Sequence, residues 1–315
     1  MNLDYRIKLI NNYMLNEGIL KLPSGIYRPV DLEMQTKELY DSNPTHGITL
    51  EWENFKIKEG QYFFTLRPSE ITLISGVPSS GKSTFLDSIV THTIKNHSWK
   101  WAVFSPESGT PTHFLKRIVE NITGEMYSSS SMGRRVSWQD VNRSISALNR
   151  FLYILEPKDV NIDNLIAICN TLHNEFGLNA MLLDPYNEMS HTRPKELNET
   201  EFVSMMLGRV RKLCQKTSIH FFCVAHPNKQ GSRSETTGDE KPPNAVDIAG
   251  SMNFYNKADN VLIVHRNKDI NTNRYRKVDI HIKKVRFRET GELGTVSLYY
   301  NTKTGRLDDK PTVSC

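Results

Sequence analysis

From Ile48 onward the chain alternates between short, continuously apolar runs and longer stretches whose apolar positions recur at helical spacing. The runs Ile71–Ile74, Trp101–Phe104, Phe151–Leu155, Ala180–Leu183, His220–Ala225 and Val261–His265 read as strands. Thr84–Lys95, Pro111–Asn121, Trp138–Asn149, Ile162–Phe176 and Glu199–Gln215 read as helices between them. Strands that alternate with helices predict an α/β fold, a mostly parallel sheet covered by helices on both faces. Closer to the C-terminus, Arg276–Lys284 and Thr295–Asn301 predict a hairpin-like pair joined through Glu289–Gly294. Residues 1–45 break this rhythm. They are polar and punctuated by Pro23, Gly25, Pro29 and Pro44, with Val30, Met34 and Leu39 at helical spacing. A short linker helix over Val30–Tyr40 is expected there, on an arm that docks elsewhere, on a neighbouring subunit for example. The division is therefore an arm, 1–45, and a core domain, 46–315. Tyr127–Gly133 and Asn228–Asn244 have the composition of mobile loops, and there is no internal repeat.

Composition narrows this little. A chain of 315 residues has ample length for a core, and a net charge of +5 permits a nucleic-acid partner without requiring one. The four cysteines show neither C-x-x-C pairing nor zinc-site spacing and read as free thiols in a reducing compartment. No apolar run approaches the length of a membrane span, and Met1–Tyr5 lacks a signal-peptide pattern. A cytoplasmic protein without a membrane partner is expected.

The chemistry is concentrated at strand ends. Gly76-Val77-Pro78-Ser79-Ser80-Gly81-Lys82-Ser83 is a complete G-x-x-x-x-G-K-S phosphate loop, entered from a strand and followed by Thr84 in the opening of a helix. Its glycines let backbone N–H groups turn onto a polyphosphate. Lys82 can reach the β and γ phosphates, the Ser83 hydroxyl suits Mg²⁺, and the helix N-terminus adds partial positive charge. The loop implies ATP or another NTP, with Mg²⁺. Hydrolysis also needs a carboxylate for the metal and one for the attacking water. Asp184 ends the strand Ala180–Leu183 and fits the first role. Glu107 follows Phe104-Ser105-Pro106 after the strand behind the loop helix and fits the second, as catalytic base. His226 ends a third strand and fits a γ-phosphate sensor, since polar residues converging on one carboxyl edge of a sheet read as a site. In Lys283-Lys284-Val285-Arg286-Phe287-Arg288, strand alternation puts Lys284 and Arg286 on one face. Taken alone the tract is a solvated edge. In a ring ATPase the pair would be candidates for a cation delivered across a subunit interface.

Together these motifs resemble the ring helicases of the DnaB type (superfamily 4), most closely the branch containing the helicase half of the phage T7 primase–helicase and the mitochondrial helicase Twinkle. The likeness runs from Ile48 to Leu307. It rests on Gly76–Ser83, Ser105-Pro106-Glu107, Leu183–Glu188, Val224–Pro227, Asp247–Ser251, Val264–Asn267, and Lys284-Val285-Arg286 followed by Tyr300-Asn301. The resemblance implies a RecA-like fold and an NTP-hydrolysing helicase that forms a ring, a hexamer, around single-stranded DNA. Such a ring would travel 5′ to 3′ and open forked duplex DNA. It assigns Arg286 as the trans-acting finger, Lys284 as a supporting cation, Arg266 and Tyr300 as the residues that sandwich the base, and Asn256 as a second phosphate sensor. The loops Asn187–Asn198 and Pro227–Gly250 would line the DNA channel. Lys229 and Arg233 would meet phosphates there, and Gly250 and Ser251 would open a helix whose free N–H groups hold one more. Nothing in these loops suits base edges, so binding is expected to ignore sequence. The chain shows no zinc module or primase domain, so priming, like synthesis by a polymerase, is expected from separate proteins. A bacterial or phage-infected cell is the expected setting. A strand-exchange or KaiC-like DNA-dependent ATPase on the same fold is the alternative.

Overall fold

A computed structural model describes residues 26–41, 47–128, 134–189, 198–227, 242–243, 252–266 and 276–311. The chain divides into two units, Met1–Thr45 and His46–Cys315. In the first, a 3-10 turn over Pro29–Leu32 leads into α1 (Glu33–Asp41). The turn is closed by Asp31, which accepts from the Arg28 backbone N–H at 2.9 Å and from its guanidinium at 2.8 Å. Ile26, Tyr27, Val30, Met34 and Tyr40 are all exposed, so the described part of this unit has no core of its own.

In the second unit, β1 (Ile48–Thr49) pairs with β4 (Thr65–Leu66), and β2 (Lys56–Lys58) with β3 (Gln61–Tyr62). The main sheet begins with β5 (Ile71–Ser75), followed by α2 (Lys82–His97), β6 (Trp101–Phe104), α3 (Pro111–Thr123) and α4 (Trp138–Leu148). Next come β7 (Leu152–Ile154), α5 (Ile162–Phe176), β8 (Ala180–Leu183), α6 (Glu199–Thr217) and β9 (His220–Val224). The unit ends with α7 (Met252–Lys257), β10 (Asn260–Arg266), β11 (Lys277–Val285), β12 (Gly294–Tyr300) and β13 (Leu307–Asp308). The nine strands β5–β13 are ordered β13-β12-β11-β10-β5-β9-β8-β6-β7. From β10 across to β7 every pairing is parallel, and from β10 outward to β13 every pairing is antiparallel.

Why this sheet is covered on both faces can be read from β5. All five of its residues are buried, as a parallel strand with helices on either side requires. Alternate side chains enter different cores. Ile74 joins Phe85 of α2, Phe114 of α3 and Val141 of α4. Ile71 and Leu73 join Leu165 of α5, Val203 and Leu207 of α6 and Phe254 of α7. Four of the described helices are started by side-chain caps, Thr110, Ser137, Asn161 and Asn198; the Asn161 side chain accepts from the Asn164 N–H and the Asn198 side chain from the Glu201 N–H, each at 2.9 Å. Cys169, Cys214 and Cys223 are free and buried, and burial pushes the Cys169 and Cys214 thiols up to about 12. Among the described residues no helix is long and apolar enough to cross a membrane.

The edge where the parallel strands begin holds a buried carboxyl group. Burial lifts Glu70 from its ordinary 4.5 to about 7, although the Asn260 amide donates to it at 2.8 Å. Because the folded value lies above the unfolded one, this group's contribution to stability is full below about 4.5. It is lost as pH rises through about 7. Glu70→Gln keeps an acceptor for Asn260 and cannot ionise. The variant is expected to melt above the wild type at pH 8 and to lose that advantage at pH 5, by thermal melts at the two pH values.

Candidate nucleotide site

The phosphate loop leaves the sheet where β5 ends. Ser75 Oγ donates to the Ala225 carbonyl at 2.6 Å, which ties the base of the loop to the end of β9. Gly76 comes next, and a Cβ there would lie 2.2 Å from the Val264 carbonyl oxygen, so only glycine fits beside β10. Gly81, with φ +100, turns the chain into α2. Lys82 is buried to 8% exposure, and its ammonium donates to the Gly76 and Val77 carbonyls at 2.8 and 3.1 Å. Ser80 Oγ is buried without a hydrogen-bond partner among the described residues. An orphaned hydroxyl and a lysine held against the loop, at the start of a 16-residue helix, are the features a polyphosphate needs.

Around the loop lies a cavity of about 640 Å³, lined by Pro78–Thr84 together with Glu107, Asp184, His226, Arg266 and Tyr300. Glu107 follows β6, Asp184 follows β8 and His226 follows β9, so three parallel neighbours deliver their next residues to one edge. His226 Nε2 stands 3.1 Å from Glu107 Oε1, and its buried Nδ1 has no hydrogen-bond partner among the described residues. Asp184 is 5% exposed, and burial raises its carboxyl above the ordinary value even though Ser105 Oγ donates to it at 3.0 Å. Ser83 and Asp184 are oxygen donors of the kind Mg²⁺ takes. Among the described residues no group of three or more His, Cys, Asp or Glu side chains gathers to hold a metal. A Mg²⁺ ion held here would therefore draw its other ligands from phosphate and water, the usual arrangement in nucleotide sites.

Arg266 ends β10 and Tyr300 ends β12. Both strands point those ends at the same edge, and the guanidinium lies over the phenol ring at 5.2 Å. The pair forms a wall of the cavity suited to a flat base.

Three expected residues lie elsewhere. Lys284, Arg286 and Asn256 are at the opposite, amino edge of the sheet, outside this cavity. The reason is strand direction. β10 runs parallel to β5, so α7, which precedes it, sits at the amino edge, and antiparallel β11 ends there too. Five residues of β5, about 16 Å, separate the two edges. Asn256, expected as a second phosphate sensor, therefore stands with Lys284 and Arg286 and away from its own subunit's phosphate loop. Lys284 and Arg286 do share a face: Lys284 Nζ donates to the Tyr255 carbonyl at 2.6 Å, and Arg286 Nη2 lies 3.5 Å from the Asn256 carbonyl. Lys229, Arg233, Gly250 and Ser251 lie outside the described residues, as do 190–197 of the first expected channel loop.

Sequence reading missed Ser105 as the donor to Asp184, although it stands in a quoted motif. It also missed Asp87 and Arg117. Arg117 Nε donates to Asp87 Oδ2 at 2.8 Å, behind the phosphate loop and beside the acidic pair Asp184 and Glu107. The two partners are 30 residues apart on different helices, and no spacing rule relates them.

Fold and cavity define a P-loop ATPase of the RecA-like class. Comparison with known proteins narrows this: residues 60–309 match the DnaB-like helicase C terminal domain, and the chain belongs to that family. It is 31% identical over 314 residues to the Twinkle homolog protein, chloroplastic/mitochondrial, of Arabidopsis thaliana, covering 95% of this chain and 42% of that protein. It is 22% identical over 237 residues to the replicative DNA helicase DnaC of Bacillus subtilis, covering 74% of this chain and 50% of that one. The chain thus spans half or less of the length of these relatives. A solved DnaB-like replicative helicase, described with its interactions with primase, superposes with a TM-score of 0.68 at 15% identity. That match covers 97% of this chain and 71% of the other, and it is a likeness of fold. The plant relative is named for organelles, which does not match the expected bacterial or phage-infected cell.

Arg117→Ala would strand Asp87, which is 5% exposed, without its counter-charge. A loss of about 3–5 kcal/mol of stability is expected. Asp87→Ala with Arg117→Ala should recover part of it, as read by denaturant titration of the single and double variants.

Proposed function

We propose that this chain is the motor of an ATP-driven DNA helicase. It would assemble as a hexameric ring around one DNA strand, translocate on single-stranded DNA from 5′ to 3′, and separate duplex at a fork. Residues 46–315 would be the motor domain and 1–45 the arm that packs on an adjacent subunit. The single observation that carries the reading is the split of the site across one sheet. The phosphate loop, Glu107, Asp184 and His226 occupy one edge, and the cations Lys284 and Arg286 occupy the other. A subunit so built cannot bring its own Arg286 to its own phosphate loop. A neighbour in a head-to-tail contact can.

In the mechanism that follows, the loop N–H groups, Ser80 and Lys82 bind the β and γ phosphates, and Arg266 and Tyr300 hold the base. Ser83 and Asp184 would hold Mg²⁺, which when bound neutralises phosphate charge. Glu107 takes a proton from the attacking water as its oxygen bonds to the γ phosphorus, and the bond to the bridging oxygen of ADP breaks. His226, hydrogen-bonded to Glu107, is placed to register whether the γ phosphate is present. Arg286 of the adjacent subunit stabilises charge on the transferring group. Lys229, Arg233, Gly250 and Ser251 are assigned to the DNA backbone by family likeness. The partners of the whole assembly would include a primase and a polymerase. The compartment would be any aqueous one that holds DNA, a plant-type organelle among them.

The test is ATP-dependent separation of a forked duplex carrying only a 5′ tail or only a 3′ tail. Unwinding that needs the 5′ tail and disappears in Lys82→Ala, with the variant still folded, is the expected outcome. DNA-stimulated hydrolysis without strand separation would instead favour the strand-exchange class. Mixing supplies a second prediction: Arg286→Ala subunits titrated into wild-type rings should depress turnover more steeply than their mole fraction. A strictly linear decline would place Arg286 outside the neighbour's site.

A further inference from the structure

Beneath the cations at the amino edge lies Asp259, in the short connection between α7 and β10, with no exposed surface. One carboxylate oxygen, Oδ2, accepts from the Ile71 backbone N–H at 2.8 Å and from the Arg211 guanidinium. The other, Oδ1, has no aligned hydrogen bond among the described residues, and Arg286 Nε stands 3.0 Å from it as an ion pair. The two arginines are held differently. Arg211 is 22% exposed and anchored twice, since its Nη2 also donates to the Lys257 carbonyl at 2.9 Å. Arg286 is 41% exposed, comes nearest the carboxylate through Nε, and has Nη2 at 3.5 Å from the Asn256 carbonyl. Its neighbour Lys284 is fastened separately, by the Tyr255 and Asn256 carbonyls at 2.6 and 3.0 Å.

We propose that Asp259 is the positioning residue for Arg286. A guanidinium carries five N–H donors in a rigid fork. The ion pair on the Nε side keeps the fork at this edge. Nη2 spends one N–H on the long 3.5 Å contact to the Asn256 carbonyl, and the remaining N–H groups of the terminal amines are left for an anion brought by another subunit. A fully buried carboxylate requires a counter-charge. Arg211 supplies a permanent one, so Asp259 stays compensated when Arg286 shifts its terminal amines toward a phosphate. Ile71 supplies the reference point, because its N–H is part of the first residue of β5, the strand that ends in the phosphate loop. Through Asp259 the finger is thereby set against the same strand that sets the nucleotide loop. Asp259 touches no reacting atom in this scheme and acts only through Arg286. The inference rests on the reading of Arg286 as a finger acting across an interface.

The test is a double-mutant cycle on the assembled protein, reading DNA-stimulated phosphate release. Asp259→Asn keeps an oxygen that can accept from the Ile71 N–H but removes the charge that holds Arg286. It is expected to lower kcat between about tenfold and a hundredfold, the scale of a mispositioned catalytic group, with KM for ATP and assembly unchanged. In an Arg286→Ala background the same substitution is expected to change kcat no further, because its only route of action is gone. Equal losses in the two backgrounds would mean that Asp259 acts through the fold, and would overturn the proposal. Unchanged kcat in Asp259→Asn would overturn it as well. If Arg286→Ala alone retains wild-type kcat, the finger reading itself fails, whatever Asp259 does. Should Asp259→Asn melt too early to assay, Asp259→Glu takes its place in the cycle. It keeps the charge but moves it by one methylene, so a loss of kcat confined to the background that retains Arg286 is again required.

Discussion

The structure depends on β5 being hydrogen-bonded in parallel to β9 on one side and β10 on the other. With both backbone edges and both side-chain faces committed, the chain beyond Ser75 can leave only in line with the strand. That exit is where a close approach becomes unavoidable, and glycine at 76 follows from the Val264 carbonyl that would otherwise meet a Cβ. The same parallel pairing carries the ends of β6, β8 and β9 to the same edge. Glu107, Asp184 and His226 reach the phosphate loop for a topological reason before any side-chain chemistry is considered.

Burial then decides how those groups behave. Asp184 is nearly sealed, which favours its neutral form and makes it dependent on partners such as Ser105 and on any cation that enters. Arg117 sits nearby with its charge pledged to Asp87, so the acidic side of the cavity is balanced from behind the loop. At the far edge the order is reversed. Cations lie outermost, at Lys284 and Arg286, and the buried group beneath them is the carboxylate of Asp259. One sheet therefore carries an acid-lined nucleotide cavity at one end and an exposed cationic cluster at the other.

Much of this was legible in the sequence, and for identifiable reasons. Strands buried on both faces are written as unbroken apolar runs, so β5, β6, β8 and β9 stand out, and Glu107, Asp184 and His226 could be placed by counting past their ends. The stacking of Arg266 on Tyr300 was accessible only through likeness to a family, since the two belong to strands separated in the sheet by β11. The position of Asn256 at the amino edge was not legible, because the order of residues along the chain does not say which sheet edge a connection occupies. That requires knowing that β10 is parallel to β5. The pairs Arg117–Asp87 and Arg286–Asp259 were illegible for a related reason: each joins two elements whose contact exists only after the sheet has formed.

The separation of nucleotide cavity and cationic cluster onto opposite edges also has a counting consequence. Under the proposed reading each subunit offers one acceptor face and one donor face, so a productive site belongs to a contact and not to a chain. An open row of subunits always ends with one cavity lacking its cation and one cation lacking its cavity. Closure into a ring removes both loose ends at once. For a protein of this construction, ring closure adds a working site without adding a subunit.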